Sequence, residues 1–204
     1  MKKKELIFLV AEEVQRQAPT QDGLKAVHPQ VIEREIATAY EQALTQFFLD
    51  PNVQTEFDLD YFSKTYETAL IENPTTKELY VVLPVKPMPL PNGMGIRLVK
   101  PKDSSVNIAR ISEAEFINLR SLEAFCCSPS PFCYSDISGG KIVFQVNRPE
   151  YKLMDAITVK IIPGFDSFGY DDEINIPGGA YQVSQLVMKN MGIRVSDNVN
   201  DDAK

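Results

Sequence analysis

The stretch LYVVLPVKPMPLPNGMGIRLV, residues 79–99, decides the fold. Residues 79–83 are aromatic, β-branched and apolar, which predicts a strand. Pro84, Pro87, Pro89 and Pro91 then place four prolines in eight positions. Each removes a backbone donor, so 84–91 cannot join a central ladder and is expected to run extended, close to polyproline II. Val85, Met88 and Leu90 within it still need an apolar partner. The expectation is therefore an arm or loop that projects and packs on a neighbouring chain through Pro84, Lys86, Pro87, Met88, Pro89, Leu90 and Pro91. Asn92-Gly93 makes a turn, and residues 95–99 read as the return strand.

Downstream, the strand pattern continues. Ser112 and Glu115 form a capping box before a short helix through residue 125. Residues 132–137, a Ser138-Gly139-Gly140 turn and residues 141–146 read as a β-hairpin, and 156–162 supply one more strand. Pro177 then introduces a helix with Val183, Leu186, Val187 and Met191 on its buried face. Gly192 stands at the position that ends it. A polar tail, 196–204, closes the sequence.

Upstream, the periodicity is helical. Leu6, Leu9, Val10 and Val14 recur at a 3.6-residue spacing, and the pattern ends before Ala18-Pro19. Pro29 opens a second helix with Ile32, Ile36, Ala39, Tyr40, Ala43, Phe47 and Phe48 on one face, and Asp50-Pro51 stops it. Phe62, Tyr66, Ala69 and Leu70 predict a third helix over 61–71, capped by Asp58 or Asp60. The order of helices, strands and helix gives an α+β class. A helical part spans 1–75, a β-rich part 76–165, and a closing helix with its tail 166–204, all within one structural unit.

Composition and charge limit the function classes. The 204 residues are 44% hydrophobic and 24% charged, as in globular proteins rather than disordered or disulfide-dense ones. The apolar run 6–11 is far shorter than a membrane span. Lys2, Lys3 and Lys4 ahead of it resemble a signal-peptide start, but Glu12 and Glu13 interrupt the run, so an ordinary helix is expected. The net charge is −7, the wrong sign for a free-standing nucleic-acid binder. Its distribution is uneven: −6 over residues 41–78, +3 over 79–165 and −4 over 166–204. Such alternation suits like molecules packing side by side with opposite faces.

The constellations that carry chemistry are weak. Cys126, Cys127 and Cys133 are odd in number, which fits reduced thiols. Their adjacency lacks the spacer of a zinc knuckle, and His28 fits a helix start better than a ligand or a base. Asp171, Asp172 and Glu173 are adjacent acids that converge poorly on one ion, and 197–202 lacks the glycine of a calcium loop. Gly93-Met94-Gly95 has no third glycine and no following helix. Arg97, Lys100, Lys102 and Arg110 form the best basic patch, although alternation splits Arg97 from the two lysines. No catalytic, cofactor or metal residue is expected.

One combination does point somewhere. A helical head leads into DLDYFSKTYE (58–67) and ELYVVLPVKPMPLP (78–91), and DDEINIPGG (171–179), one helix and DNVND (197–201) follow. This order and these motifs resemble the virion structural proteins of crAss-like tailed phages of gut bacteria, in particular their head-to-tail connector or ring proteins. The resemblance implies a non-enzymatic adaptor, assembled in the host cytoplasm and resident in the virion. Such adaptors stack as rings below the portal, commonly twelve-fold. Their partners are like subunits, the portal and other tail or ring proteins, and genomic DNA passes through the channel without specific binding. The Pro-rich segment and the tail residues Asp197, Asn198 and Asp201 would then contact neighbouring subunits. Alternatives are another tail-ring or completion protein, or a small hydrolase or ligand-binding protein.

Overall fold

In the computed structural model of this protein, the described residues are 1–17, 28–50, 60–76, 79–105, 107–112, 114–115, 118, 133–137, 140–145 and 156–193. The chain divides into two compact units, Met1–Phe62 with Gly164–Lys204, and Ser63–Pro163. The class is α+β, with helices first, a central antiparallel β region and a closing helix.

The helical unit is built on α1 (Lys3–Gln17), α2 (Pro29–Leu49) and α3 (Gly179–Asn190). Leu6, Val10 and Val14 of α1 are buried, but Leu9, expected beside them, is exposed. It sits about 100° round the helix from the centre of the stripe formed by 6, 10 and 14, at the margin of that face. His28 caps α2, its Nδ1 accepting the Gln30 amide at 3.3 Å, and Pro29 supplies the first helical position where no donor is missed. Ile32, Ile36, Ala39, Tyr40, Ala43 and Leu44 are the buried face of α2. Tyr40 meets Phe165 and Phe168 with ring centroids 5.7 and 6.4 Å apart. α3 starts after Gly178, whose φ of 65° is the left-handed conformation that glycine tolerates, and stops at Gly192, φ 69°. Its face of Val183, Val187 and Met188 is buried.

The β unit holds two sheets. The first has three strands in the order β1 (Lys64–Ala69), β8 (Ala156–Ile161), β4 (Ile96–Pro101). The second has five, in the order β2 (Ile71–Glu72), β3 (Leu79–Val82), β7 (Lys141–Gln145), β6 (Cys133–Ile137), β5 (Ala109–Arg110). All neighbours are antiparallel except β5 and β6. Val81, Leu83, Ile142 and Phe144 from one sheet and Ile96, Val99, Ile157, Val159 and Ile161 from the other share one apolar cluster. Each such side chain contributes about 1.5–3 kcal/mol when fully buried.

Two expectations fail here. The third helix is absent: within 61–71 the chain forms β1, Lys64↔Ile161 through Ala69↔Ala156, with strict in-out alternation. Phe62, Tyr66, Ala69 and Leu70 match a helical spacing, but Thr65, Tyr66 and Thr68 favour a pleated surface and β8 offers a full ladder to pair with, so tertiary pairing prevails. The return strand 95–99 forms, yet it does not pair with 79–83. β4 joins β8, while β3 lies between β2 and β7. The segment between them has too few donors to close a hairpin and carries the chain from one sheet to the other. The hairpin of β6 and β7 forms as expected. The capping box is in place, with the Ser112 amide donating to Glu115 Oε2 at 2.8 Å and the Glu115 amide to Ser112 Oγ at 3.2 Å. The helix expected to follow it lies largely outside the described residues.

Candidate functional site

The Pro-rich segment does not project. It runs extended with alternating faces: Pro84, Lys86, Pro89 and Pro91 are exposed, Val85 and Pro87 half-buried. Met88 and Leu90 are buried, at 2% and 5% exposure. The Met88 amide donates to Ile162 O at 2.9 Å, and Pro87 bridges to Pro163. A Cβ on Gly95 would run into the Met88 carbonyl, so glycine there allows the segment to lie flat on the start of β4. The two apolar side chains expected to seek a neighbouring chain are thus already satisfied within this one. The exposed face of prolines and Lys86 is what remains for an interface. Asp197, Asn198 and Asp201 lie outside the described residues, as do Cys126 and Cys127.

The acid cluster 171–173 resolves into separate partners. Asp171 pairs with Lys4, whose ammonium holds the carboxyl below the usual aspartate range. Asp172 Oδ2 accepts the Gly169 amide at 3.0 Å. Among the described residues no group of three His, Cys, Asp or Glu side chains is arranged to hold a metal ion. No described helix is long and apolar enough to cross a membrane.

Lys3, expected only as one of three lysines leading into an ordinary helix, has a distinct place. Lys3 is 6% exposed. Its Nζ donates to Phe165 O and Phe168 O at 3.4 and 3.2 Å, and lies 3.6 Å from Glu33 Oε1. It also sits 4.5 Å above the Phe165 ring. Tyr170 donates its hydroxyl to Glu33 Oε2 at 3.2 Å, and the Glu33 charge raises the phenol above its ordinary range. Backbone bonds run alongside: the Ile174 amide to Met1 O, Lys3 to Asp172 O and Lys4 to Tyr170 O. The start of α1 is thereby clasped to residues 165–174, a structural rather than a reactive arrangement.

Between α2 and α3 lies an open groove of about 600 Å³, with Glu41, Gln42, Gln46, Lys189 and Asn190 among its lining residues. It mixes three amides with two threonines, one acid and one base, and Leu186 contributes its apolar side chain. Beside these features the helical unit displays aromatic side chains to solvent among the described residues, namely Phe8 at 68%, Tyr61 at 65% and Tyr181 at 74% exposure, besides Tyr170, which is bonded to Glu33.

The register shift at Arg97 breaks the alternation on which the division of the basic patch was expected to rest. On β4, Val99 faces the core and Lys100 the other side, and Lys102 pairs with Glu67 at 2.8 Å. Arg110 reaches Gly93, where a Cβ would collide with its guanidinium, and this close approach fits the glycine and its φ of 67°. Compared with known proteins, the chain matches no family model and no curated sequence.

Proposed function

We propose that this chain is a non-enzymatic structural subunit of a tailed-phage virion, a head-to-tail connector that forms a ring beneath the portal, extends the DNA channel and joins capsid to tail. The observation that carries the reading is the exposed aromatic set Phe8, Tyr61 and Tyr181 on the helical unit. Aromatic side chains bring about 150–250 Å² each and are enriched at subunit interfaces. The sequence resemblance supplies the setting. The ring would be closed and built of like subunits, twelve-fold as the resemblance implies, with the portal and other tail proteins as neighbours. Its acidic excess would line or flank the channel, where it repels phosphate and lets the genome pass without specific binding. A heterologous contact between the basic middle of one subunit and an acidic segment of the next would close it.

Gel filtration with light scattering, then negative-stain imaging at high protein concentration and of the particle, tests this. Closed rings are expected; a stable monomer that makes no contacts in the particle would refute the reading. A tail-ring or completion protein differs from it only in tier. The groove between α2 and α3 favours a second reading, a ligand-binding protein, which a thermal-shift screen against small polar ligands tests.

A further inference from the structure

Two exposed surfaces, one in each unit, are complementary in chemistry. In the β unit the Pro-rich segment is held in place. Met88 and Leu90 are buried, the Met88 amide donates to Ile162 O at 2.9 Å, and the Leu90 amide donates to Met88 O at 2.8 Å. Pro84, Lys86, Pro89 and Pro91 are left exposed. They form a ridge of proline rings with one cation among them, fixed before any partner arrives. A segment already fixed loses little conformational entropy on binding, and proline-rich segments dock on aromatic surfaces for that reason.

The helical unit carries an aromatic surface of this kind. Tyr61, Tyr170 and Tyr181 are exposed at 65%, 58% and 74%. Asn175 Nδ2 donates to Tyr61 O at 2.7 Å, which brings Tyr61 beside the stretch 170–181 that bears the other two. Two of the rings are held: Tyr61 meets Phe62 edge-on with centroids 5.4 Å apart, and the Tyr170 hydroxyl donates to Glu33. Glu173 is exposed in the same stretch, and neither it nor Lys86 takes part in a salt bridge among the described residues. The charges of the two units differ in sign as well. The helical unit holds 18 acids and 9 bases, net −9, and the β unit 10 acids and 12 bases, net +2.

We propose that the proline ridge 84–91 of one copy docks on the surface of Tyr61, Tyr170 and Tyr181 of a second copy, with Lys86 meeting Glu173. The inference deepens the ring reading and rests on it. Proline rings packed on tyrosine faces bury apolar area without stranding a backbone donor, because proline has none. The contact joins unlike patches, so each subunit offers a ridge to one neighbour and a surface to the other. That head-to-tail pattern is what a closed ring requires. The second copy is the occupant because this chain supplies both halves, matched in apolar character and opposite in charge.

The test mixes two full-length variants in sedimentation runs: a ridge variant, Pro84→Ser with Pro89→Ser, and a surface variant, Tyr61→Ser with Tyr181→Ser. Each alone should stay monomeric where the wild type assembles, its association weakened about 30-fold or more. An equimolar mixture should form dimers and nothing larger, since one variant keeps the ridge and the other keeps the surface. Lys86→Glu and Glu173→Lys, both at exposed positions, probe the same joint without disturbing the fold. Each should weaken association about 3–5-fold, and the double variant should regain most of that loss. If the wild type assembles but the mixture stays monomeric, or the double charge variant regains nothing, the pairing is wrong while the ring stands. If the wild type stays monomeric throughout, the ring reading falls and takes the joint with it. Variants that assemble like the wild type yet are missing from the particle would give both surfaces to another virion protein and overturn the second copy as occupant.

Discussion

Lys3→Met is expected to destabilise the helical unit by about 2–4 kcal/mol. The ammonium makes two hydrogen bonds to carbonyls, at 3.2 and 3.4 Å, and faces Glu33 at 3.6 Å. Charge-assisted hydrogen bonds contribute about 1.5–3 kcal/mol each at good geometry, and these are at the long end. The ring contact with Phe165 adds about 0.5–2 kcal/mol. Against this stands the cost of keeping an ammonium out of water, which methionine relieves. Methionine keeps most of the apolar stem, so little packing is lost and the electrostatic part is isolated. Removing one member of a buried charge pair costs about 3–5 kcal/mol, and the lower figure applies because Glu33 stays partly solvated. Glu33→Gln leaves the buried ammonium without its counter-charge but with both carbonyls, and should cost about 1–3 kcal/mol, less than Lys3→Met. Urea melts followed by circular dichroism give the values, and the melting temperature should fall by about 5–15 °C for Lys3→Met. A Lys3→Met variant within about 0.5 kcal/mol of wild type, or a Glu33→Gln variant that loses more than Lys3→Met, would refute the reasoning.

Met88→Ser should destabilise the monomer by about 2–5 kcal/mol in a denaturant melt, because the side chain is buried in its own chain rather than on a neighbour. Gly95→Ala should cost about 1–3 kcal/mol in the same assay, since the new methyl meets the Met88 carbonyl backbone. Asp171 has its acidity strengthened by the bond to Lys4, so its contribution is present above the ordinary carboxylate range and is lost as pH falls through its lowered folded value. Urea midpoints of Asp171→Asn should accordingly fall less steeply than those of the wild type on the acid side of about pH 4. Phe8→Ser with Tyr181→Ser should leave the melting temperature nearly unchanged and weaken association in light scattering, since both rings are exposed.

Elements with one dominant signal were legible from residues alone. Ile32, Ile36, Ala39, Tyr40 and Ala43 on the buried face of α2 (Phe47 and Phe48, expected with them, are half-buried, and Leu44 is buried instead), the β6–β7 hairpin, the start of α2 at His28-Pro29 and the end of α3 at Gly192 follow local rules that tertiary contacts reinforce. The failures occur where two periods fit the same residues. Tyr66 and Leu70 lie four apart, which a helix would use, while Tyr66 and Thr68 lie two apart, which β1 uses. Only the partner strand β8, some 90 residues on, decides between them. The candidate site was harder. Lys3 looked like its neighbours Lys2 and Lys4 because nothing local distinguishes a lysine that will meet residues 165–168. Arg97 was visible as a basic residue, but its bulge is a property of the register with β8.

The strand edges bear on how such subunits could associate. The five-stranded sheet ends in β2 and β5, each only two residues long, which leaves little ladder for a second chain to extend. In the three-stranded sheet, the Val99 carbonyl on β4 already accepts the Ile108 amide, and the strand ends in Pro101. β1 exposes Thr65 and Glu67, and Glu67 is paired with Lys102. Short, occupied or charged edges all oppose strand addition. An assembly of this chain would therefore be held through side-chain surfaces. The exposed aromatics of the helical unit would supply area for it. In that arrangement charge selects the neighbour while apolar contact holds it, so moderate salt should blur the order of assembly before it dissolves the ring.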